Sequence, residues 1–180
     1  MITSAAGHDT ARSSRTTGRV LGVIGGMGPA ATADFYRKLI AATPASTDQE
    51  HVPVVILADP DIPDRSRAIS SGQHGRVLSE LRRRVDLLRA MGVAGLAIPC
   101  NTAHWWLPDL RATTTLPFIS MIEASTAALR SRHPDATSVL VLGTRATVQA
   151  GIYAKALRQC GARPVLPTED QQTVVDQVVR

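Results

Sequence analysis

Within Ile98-Pro99-Cys100-Asn101-Thr102-Ala103-His104, a thiol, two capping side chains and an imidazole lie close together. The apolar residues 95–98 read as a buried strand. Pro99 stops that strand, and Asn101 or Thr102 can cap a helix that begins at once. Cys100 is thereby expected at the carboxyl end of a strand and the amino end of a helix. Free N–H groups and the positive dipole end favour thiolate over thiol there. In an open α/β sheet that edge is also where ligands bind. We read Cys100 as a catalytic thiolate; the competing reading is a buried structural cysteine. His104, one helical turn further on, is placed to hydrogen-bond the thiolate or its substrate, or else to cap or pack.

Two other stretches carry chemistry. Gly26-Met27-Gly28-Pro29-Ala30-Ala31 satisfies G-x-G-x-x-A after a strand. A dinucleotide site would want an acidic residue about 20 residues on, whereas Asp59 is about 30 away, and no G-K-[ST] follows. The bare N–H groups of such a turn can instead cradle a carboxylate, or the turn is only a turn. Arg65 follows a Pro-rich loop with three aspartates. It can clamp a carboxylate through two hydrogen bonds, or pair locally with Asp61 or Asp64. Cys160 precedes a helix-ending glycine on an apolar face and reads as structural, and Trp105 and Trp106 read as packing or interface residues. Five histidines are scattered without ligand spacing, so no metal is expected.

The elements that must position these residues alternate along the chain. Strands are expected over 19–24, 54–58, 95–98, 116–120 and 138–142, with a short one over 164–166. Helices are expected over 30–42, 75–91, 102–111, 122–132, 147–160 and 169–180. Pro108 should bend or shorten the third helix. Phe35, Leu39 and Ala42 share one face of the first helix, and Val77, Leu81, Val85, Leu88 and Met91 share one face of the second. Residues 59–65 hold too many prolines for regular structure. Residues 1–18 lack apolar periodicity and should be disordered. Alternating strands and helices imply an α/β fold with a largely parallel sheet. Val20 to Gly25 and Val139 to Gly143 each open a strand–turn–helix unit. This weak repeat would set two turns around a shared cleft.

Composition narrows the classes. The chain has 180 residues, 44% hydrophobic and 19% charged, which suits a globular protein with a sizeable core. No run approaches the ~18 apolar residues of a membrane span. The first 17 residues have no apolar segment of a secretory signal. Two cysteines make no disulfide framework, so a reducing cytoplasm is the default. The net charge is +5. Arg82-Arg83-Arg84 should fan around a solvated helix rather than form a nucleic-acid patch. Aromatic residues, at 3%, are too few for base stacking. An anionic small molecule suits this charge.

Taken together, these stretches resemble the aspartate racemase branch of the aspartate/glutamate racemase family. The resemblance rests on Gly25-Gly26-Met27-Gly28-Pro29-Ala30-Ala31-Thr32, on Thr43-Pro44-Ala45 with Asp48-Gln49-Glu50-His51, and on Ile62-Pro63-Asp64-Arg65. It also rests on Pro99-Cys100-Asn101-Thr102-Ala103-His104, Ser120-Met121-Ile122-Glu123 and Pro167-Thr168-Glu169-Asp170. It implies two pseudo-symmetric α/β lobes, divided here into a tail over 1–18, a first lobe over 19–120 and a partial second lobe over 121–180. It implies racemisation of a free acidic amino acid without pyridoxal phosphate, metal or nucleotide. Two cysteines on opposite faces of the α-carbon would move the proton. Cys100 matches the first. Asn101 and Thr102 match neighbours that bind the α-carboxylate, Met27 and Gly28 line the site, and Arg65 holds the side-chain carboxylate.

The chain departs from the pattern at the second cysteine. Carrying the Gly25-to-Cys100 spacing over from Gly143 lands at about position 218, past Arg180, and Cys160 is on the wrong element. The second lobe is therefore expected to be incomplete, with an exposed edge that a homodimer would bury. The alternatives are a one-thiol isomerase or decarboxylase of the same superfamily, and a non-catalytic carboxylate-binding module.

Overall fold

The computed structural model describes residues 20–179; the disordered tail expected over 1–18 lies outside them. The order of elements is β1 (Leu21–Gly25), α1 (Pro29–Ala42), β2 (Val54–Ala58), α2 (Arg65–Ser71), α3 (His74–Ala90), β3 (Gly95–Ala97), α4 (Leu107–Arg111), β4 (Phe118–Ile119), α5 (Met121–Arg132), β5 (Ser138–Leu140), α6 (Arg145–Gln149), α7 (Ile152–Gln159), β6 (Arg163–Val165) and α8 (Glu169–Val178). Short 3-10 turns cover Asp48–Glu50 and Thr102–Trp106. The α/β reading holds. The strands β2-β1-β3-β4 form one parallel sheet, and β5 and β6 form a two-stranded parallel sheet.

Side-chain alternation along the strands divides the core. Leu21, Val23 and Ala97 point to one face, where Phe35 and Leu39 of α1 cover them, as their spacing predicts. Ile24 and Leu96 point to the other face, against Val77, Leu81, Val85 and Leu88 of α3. Met91, expected on that face, is 62% exposed instead, because α3 ends at Ala90. Gly22 sits where a Cβ would press on Leu96 and Val93.

Several boundaries differ from the sequence expectation, each for a local reason. α2 was not anticipated; Asp64 caps it by accepting the Arg67 N–H, and Gly72 ends it with φ 72°. The helix expected over 147–160 is split into α6 and α7 by Gly151, whose φ is 63°. The helix expected over 102–111 is a 3-10 turn followed by five α-helical residues with Pro108 in the first turn. β4 is shortened because Ser120 leaves the strand to cap α5 through the Glu123 N–H. Arg84, expected on a solvated face, is 1% exposed and pairs with Asp59 and Glu80.

Candidate active site

Three loops leave the carboxyl ends of β1, β2 and β3 at the same edge of the four-stranded sheet. β1 and β3 are neighbours, and their chains depart to opposite sides, which opens a crevice between them. That crevice is a cleft of about 630 Å³ lined by Met27, Gly28, Arg65, Cys100 and Thr102 from these loops, and by Thr144, Arg145 and Asp176 from beyond β5. Five of the six residues singled out from the sequence thus share one cavity.

Cys100 is half-buried, and its thiol is free. Its amide donates to the Ile98 carbonyl at 2.8 Å, folding the loop tightly after the strand. The helix dipole expected behind it is much reduced, since a five-residue 3-10 turn stands there instead of a long α-helix. The long helix at the cleft is α1. Its N-cap is Gly28, which offers no side-chain cap, and its first turn holds no acidic residue. A Cβ on Gly28 would meet nothing within 4 Å, so the space above this helix terminus is open.

His104 does not reach into the cleft. Its Nε2 accepts the Met121 N–H at 3.2 Å, so Nδ1 carries the proton and donates to the Cys100 carbonyl at 2.9 Å. Burial lowers its pKa, outweighing the hydrogen bond to Cys100 that acts to raise it. The imidazole is a neutral strut that holds the Cys100 loop against the start of α5.

The two arginines of the cleft differ in their partners. Arg65 donates Nη1 to the Ile62 and Pro63 carbonyls at 3.0 and 3.2 Å, and Nη2 to the Met27 carbonyl at 3.3 Å. Its Nε is buried without a partner. Neither Asp61 nor Asp64 pairs with it, so among the described residues a guanidinium held only by carbonyls faces the cleft. Arg145 is compensated instead. It bonds Asp176 through its amide at 3.1 Å and its Nε at 3.2 Å, and it also pairs with Glu169. The Glu169 bond holds the Arg145 pKa above its usual value.

Thr102 is buried, and its hydroxyl is within hydrogen-bond distance of Thr144 (3.2 Å) and Thr147 (2.9 Å), which are 2.9 Å from each other. This ring ties the loop after β3 to the start of α6. Asn101 is not brought into the cleft. Its Oδ1 accepts the Tyr153 hydroxyl at 2.6 Å, beside a separate cavity of about 250 Å³ that holds no charged side chain and no cysteine. Cys160 packs with Val141, Leu157 and Ala162 and donates to the Leu157 carbonyl. Trp106 is fully buried in the core, with Trp105 packed against it and stacked on His74 at 4.4 Å.

Thr144, Arg145 and Asp176 were missed as cleft residues from the sequence. The strand–turn–helix resemblance between Val20 to Gly25 and Val139 to Gly143 was the signal that a second turn would face the first. Among the described residues, no cluster of His, Cys, Asp and Glu is arranged to hold a metal ion.

Fold and thiol position define the class: open-sheet α/β proteins with a cysteine-bearing cleft at the strand carboxyl ends. More particularly, residues 24–180 match the Asp/Glu/Hydantoin racemase family, and the chain belongs to it. It is 29% identical over 164 residues to a broad-specificity amino-acid racemase, RacX, of Bacillus subtilis (strain 168), covering 89% of this chain and 69% of that protein. The structure of the Picrophilus torridus aspartate racemase superposes with a TM-score of 0.78 at 34% identity, covering 89% of this chain. An aspartate racemase homologue from Pyrococcus horikoshii OT3 shares the fold, with a TM-score of 0.71 at 23% identity over 89% of this chain and 69% of its own. The chain spans 66% of the length of the Picrophilus protein.

Proposed function

We propose that this chain binds an acidic amino acid, aspartate or a close relative, and moves its α-proton with the Cys100 thiolate, as an amino-acid racemase without a bound cofactor. The single observation that carries this reading is Arg65, a guanidinium without a counterion among the described residues, lining the same cleft as a free thiol. A buried or half-buried cation with no carboxylate partner is completed by an anion, and a guanidinium suits a carboxylate in two-point contact.

In this mechanism Arg65 takes the side-chain carboxylate. The α-carboxylate lies toward the uncapped start of α1, near Met27 and Gly28. The Cys100 sulfur removes the α-hydrogen. The C–H electron pair passes into the carboxylate as an enediolate, whose charge the amides of α1 stabilise. Return of a proton to the same face regenerates the substrate, and return to the opposite face inverts it. Thr102 contributes through its hydroxyl ring, which fixes the Cys100 loop. The thiol must be reduced to act, which suits a cytoplasmic protein.

A second reading has one specific observation in its favour. Cys160 lies away from the cleft, so Cys100 is the only cysteine lining it among the described residues. That favours one-thiol chemistry for this chain, or a carboxylate-binding role.

The test is solvent exchange. L- and D-aspartate in deuterium oxide, followed by proton NMR, should lose the α-hydrogen signal with the wild type and keep it with Cys100→Ala. Exchange with inversion supports the racemase, and exchange with retention supports the one-thiol reading. Equal signals from wild type and Cys100→Ala sink both, and retained binding of aspartate would leave the binding module.

A further inference from the structure

Among the described residues, the core of the four-stranded sheet contains one charged side chain, Arg84 of α3, at 1% exposure. It shares the buried side of α3 with Val77, Leu81, Val85 and Leu88, where helical spacing calls for another apolar residue. A buried ion pair is generally no better for stability than well-packed apolar side chains of the same volume. Packing therefore does not account for a guanidinium here, and its partners suggest what does.

Arg84 donates Nη1 to the Glu80 carbonyl at 2.9 Å and pairs with the Glu80 carboxylate one turn back. Its Nη2 crosses to the end of β2 and binds the Asp59 carboxylate. Asp59 is a junction. Its amide donates to the Gly25 carbonyl at 3.4 Å, and its other carboxylate oxygen accepts the Asp61 N–H at 2.9 Å. Its backbone lies where a Cβ on Gly26 would be, so the β2 loop and the β1 turn are in direct contact. Next in the loop come Ile62, 2% exposed, and Pro63, the two residues whose carbonyls hold Arg65. Arg65 then bonds the Met27 carbonyl and closes the circuit to the β1 turn.

We propose that Arg84 is a positioning residue for Arg65. By fixing Asp59 from inside the core, it sets the path of residues 59–63 and hence the direction in which the Arg65 guanidinium faces the cleft. The consequence for substrate rests on the reading of Arg65 as the carboxylate-binding group; the structural consequence does not.

The experiment compares wild type, Arg84→Met and Arg84→Lys. The Arg65 Nε–H is buried without a partner and should give a protected resonance in nitrogen-edited NMR. In Arg84→Met that resonance should shift and lose its protection. The KM of L-aspartate for α-hydrogen exchange should rise about tenfold or more, with kcat within about threefold, because orientation rather than the thiol is lost. Arg84→Lys, which can still reach Asp59, should recover part of both. An Arg84→Met protein of native near-ultraviolet circular dichroism whose Arg65 resonance superimposes on the wild type overturns the proposal. If wild type does not bind L-aspartate, the substrate reading of Arg65 fails, while the resonance still decides the role of Arg84. Should Arg84→Met not fold, Asp59→Asn, which keeps the shape and weakens the pair, carries the same comparison.

Discussion

The hydroxyl of Thr102 lies 2.9 Å from that of Thr147, a residue 45 positions further along the chain. The first belongs to the loop of Cys100 and the second to α6, so this contact fixes one wall of the cleft against the other. Removing it with Thr147→Val leaves the Thr102 hydroxyl only that of Thr144, which still accepts the N–H of residue 147. The expected cost is about 1–2 kcal/mol of stability, read by urea denaturation, together with a raised KM for substrate. An unchanged denaturation midpoint would show that the ring does not brace the cleft.

Arg65 separates charge from shape. Arg65→Met keeps most of the aliphatic packing and removes the cation. Calorimetry should show the affinity for L-aspartate falling about a hundredfold, since a charge-assisted pair contributes about 3 kcal/mol. Arg65→Lys should restore only part, because an ammonium cannot reproduce the planar two-point contact. Equal affinity in Arg65→Met and wild type would place the carboxylate elsewhere.

Acid should loosen the molecule through His104. Burial lowers its folded pKa below the ordinary value of 6.5, with the Cys100 hydrogen bond opposing and Arg111 adding to the lowering. Well above pH 6.5 the imidazole is neutral in both folded and unfolded chains, and stability is unaffected. As pH falls below 6.5 the unfolded chain takes up a proton that the folded one resists, so stability declines. One proton limits the slope to about 1.4 kcal/mol per pH unit. Melting temperatures from pH 8 to 5 should fall less steeply for His104→Asn than for wild type.

Gly26 combines φ 88° with the Asp59 backbone lying 2.4 Å from where a Cβ would be. Gly26→Ala is therefore strained and clashes with main chain that cannot rotate aside. A loss of about 2–4 kcal/mol is expected, whereas Gly28→Ala, which meets open space, should fold normally and perturb ligand binding. Equal melting temperatures for Gly26→Ala and wild type would contradict the geometry.

At the end of β5 and just past β5 and β6, Leu140, Leu142 and Leu166 are about half exposed or more. Open strand edges beside exposed apolar side chains promote association. Sedimentation velocity should show self-association that rises with concentration and weakens in Leu142→Glu. A single monomeric species throughout would count against it.

Much of this was legible in the linear chain because local rules govern it. Period-two and period-3.6 patterns placed most strands and helices within a few residues, and Pro99 after an apolar run placed Cys100 at a sheet edge. The breaks that were misjudged are those where one residue takes a special conformation, such as Gly151 inside an otherwise helical run. Arg84 was misread because its charge argues for solvent, although it shares the helical spacing of Val77, Leu81 and Leu88, and the Asp59 carboxylate that receives it is not local. Its burial depends on Asp59, 25 residues earlier.

By itself the sequence determined the α/β alternation, the parallel sheet and the loops that carry Met27, Gly28, Arg65 and Cys100, since each follows from side-chain periodicity and proline or glycine chemistry within a short window. Only the tertiary structure decided which groups meet. Asn101 turns to Tyr153 rather than into the cleft, His104 braces the backbone rather than the sulfur, and Arg145 is neutralised by Asp176 and Glu169, while Arg65 has no counterion among the described residues. Those outcomes depend on hydrogen bonds and charges contributed from distant parts of the chain, which no local pattern encodes.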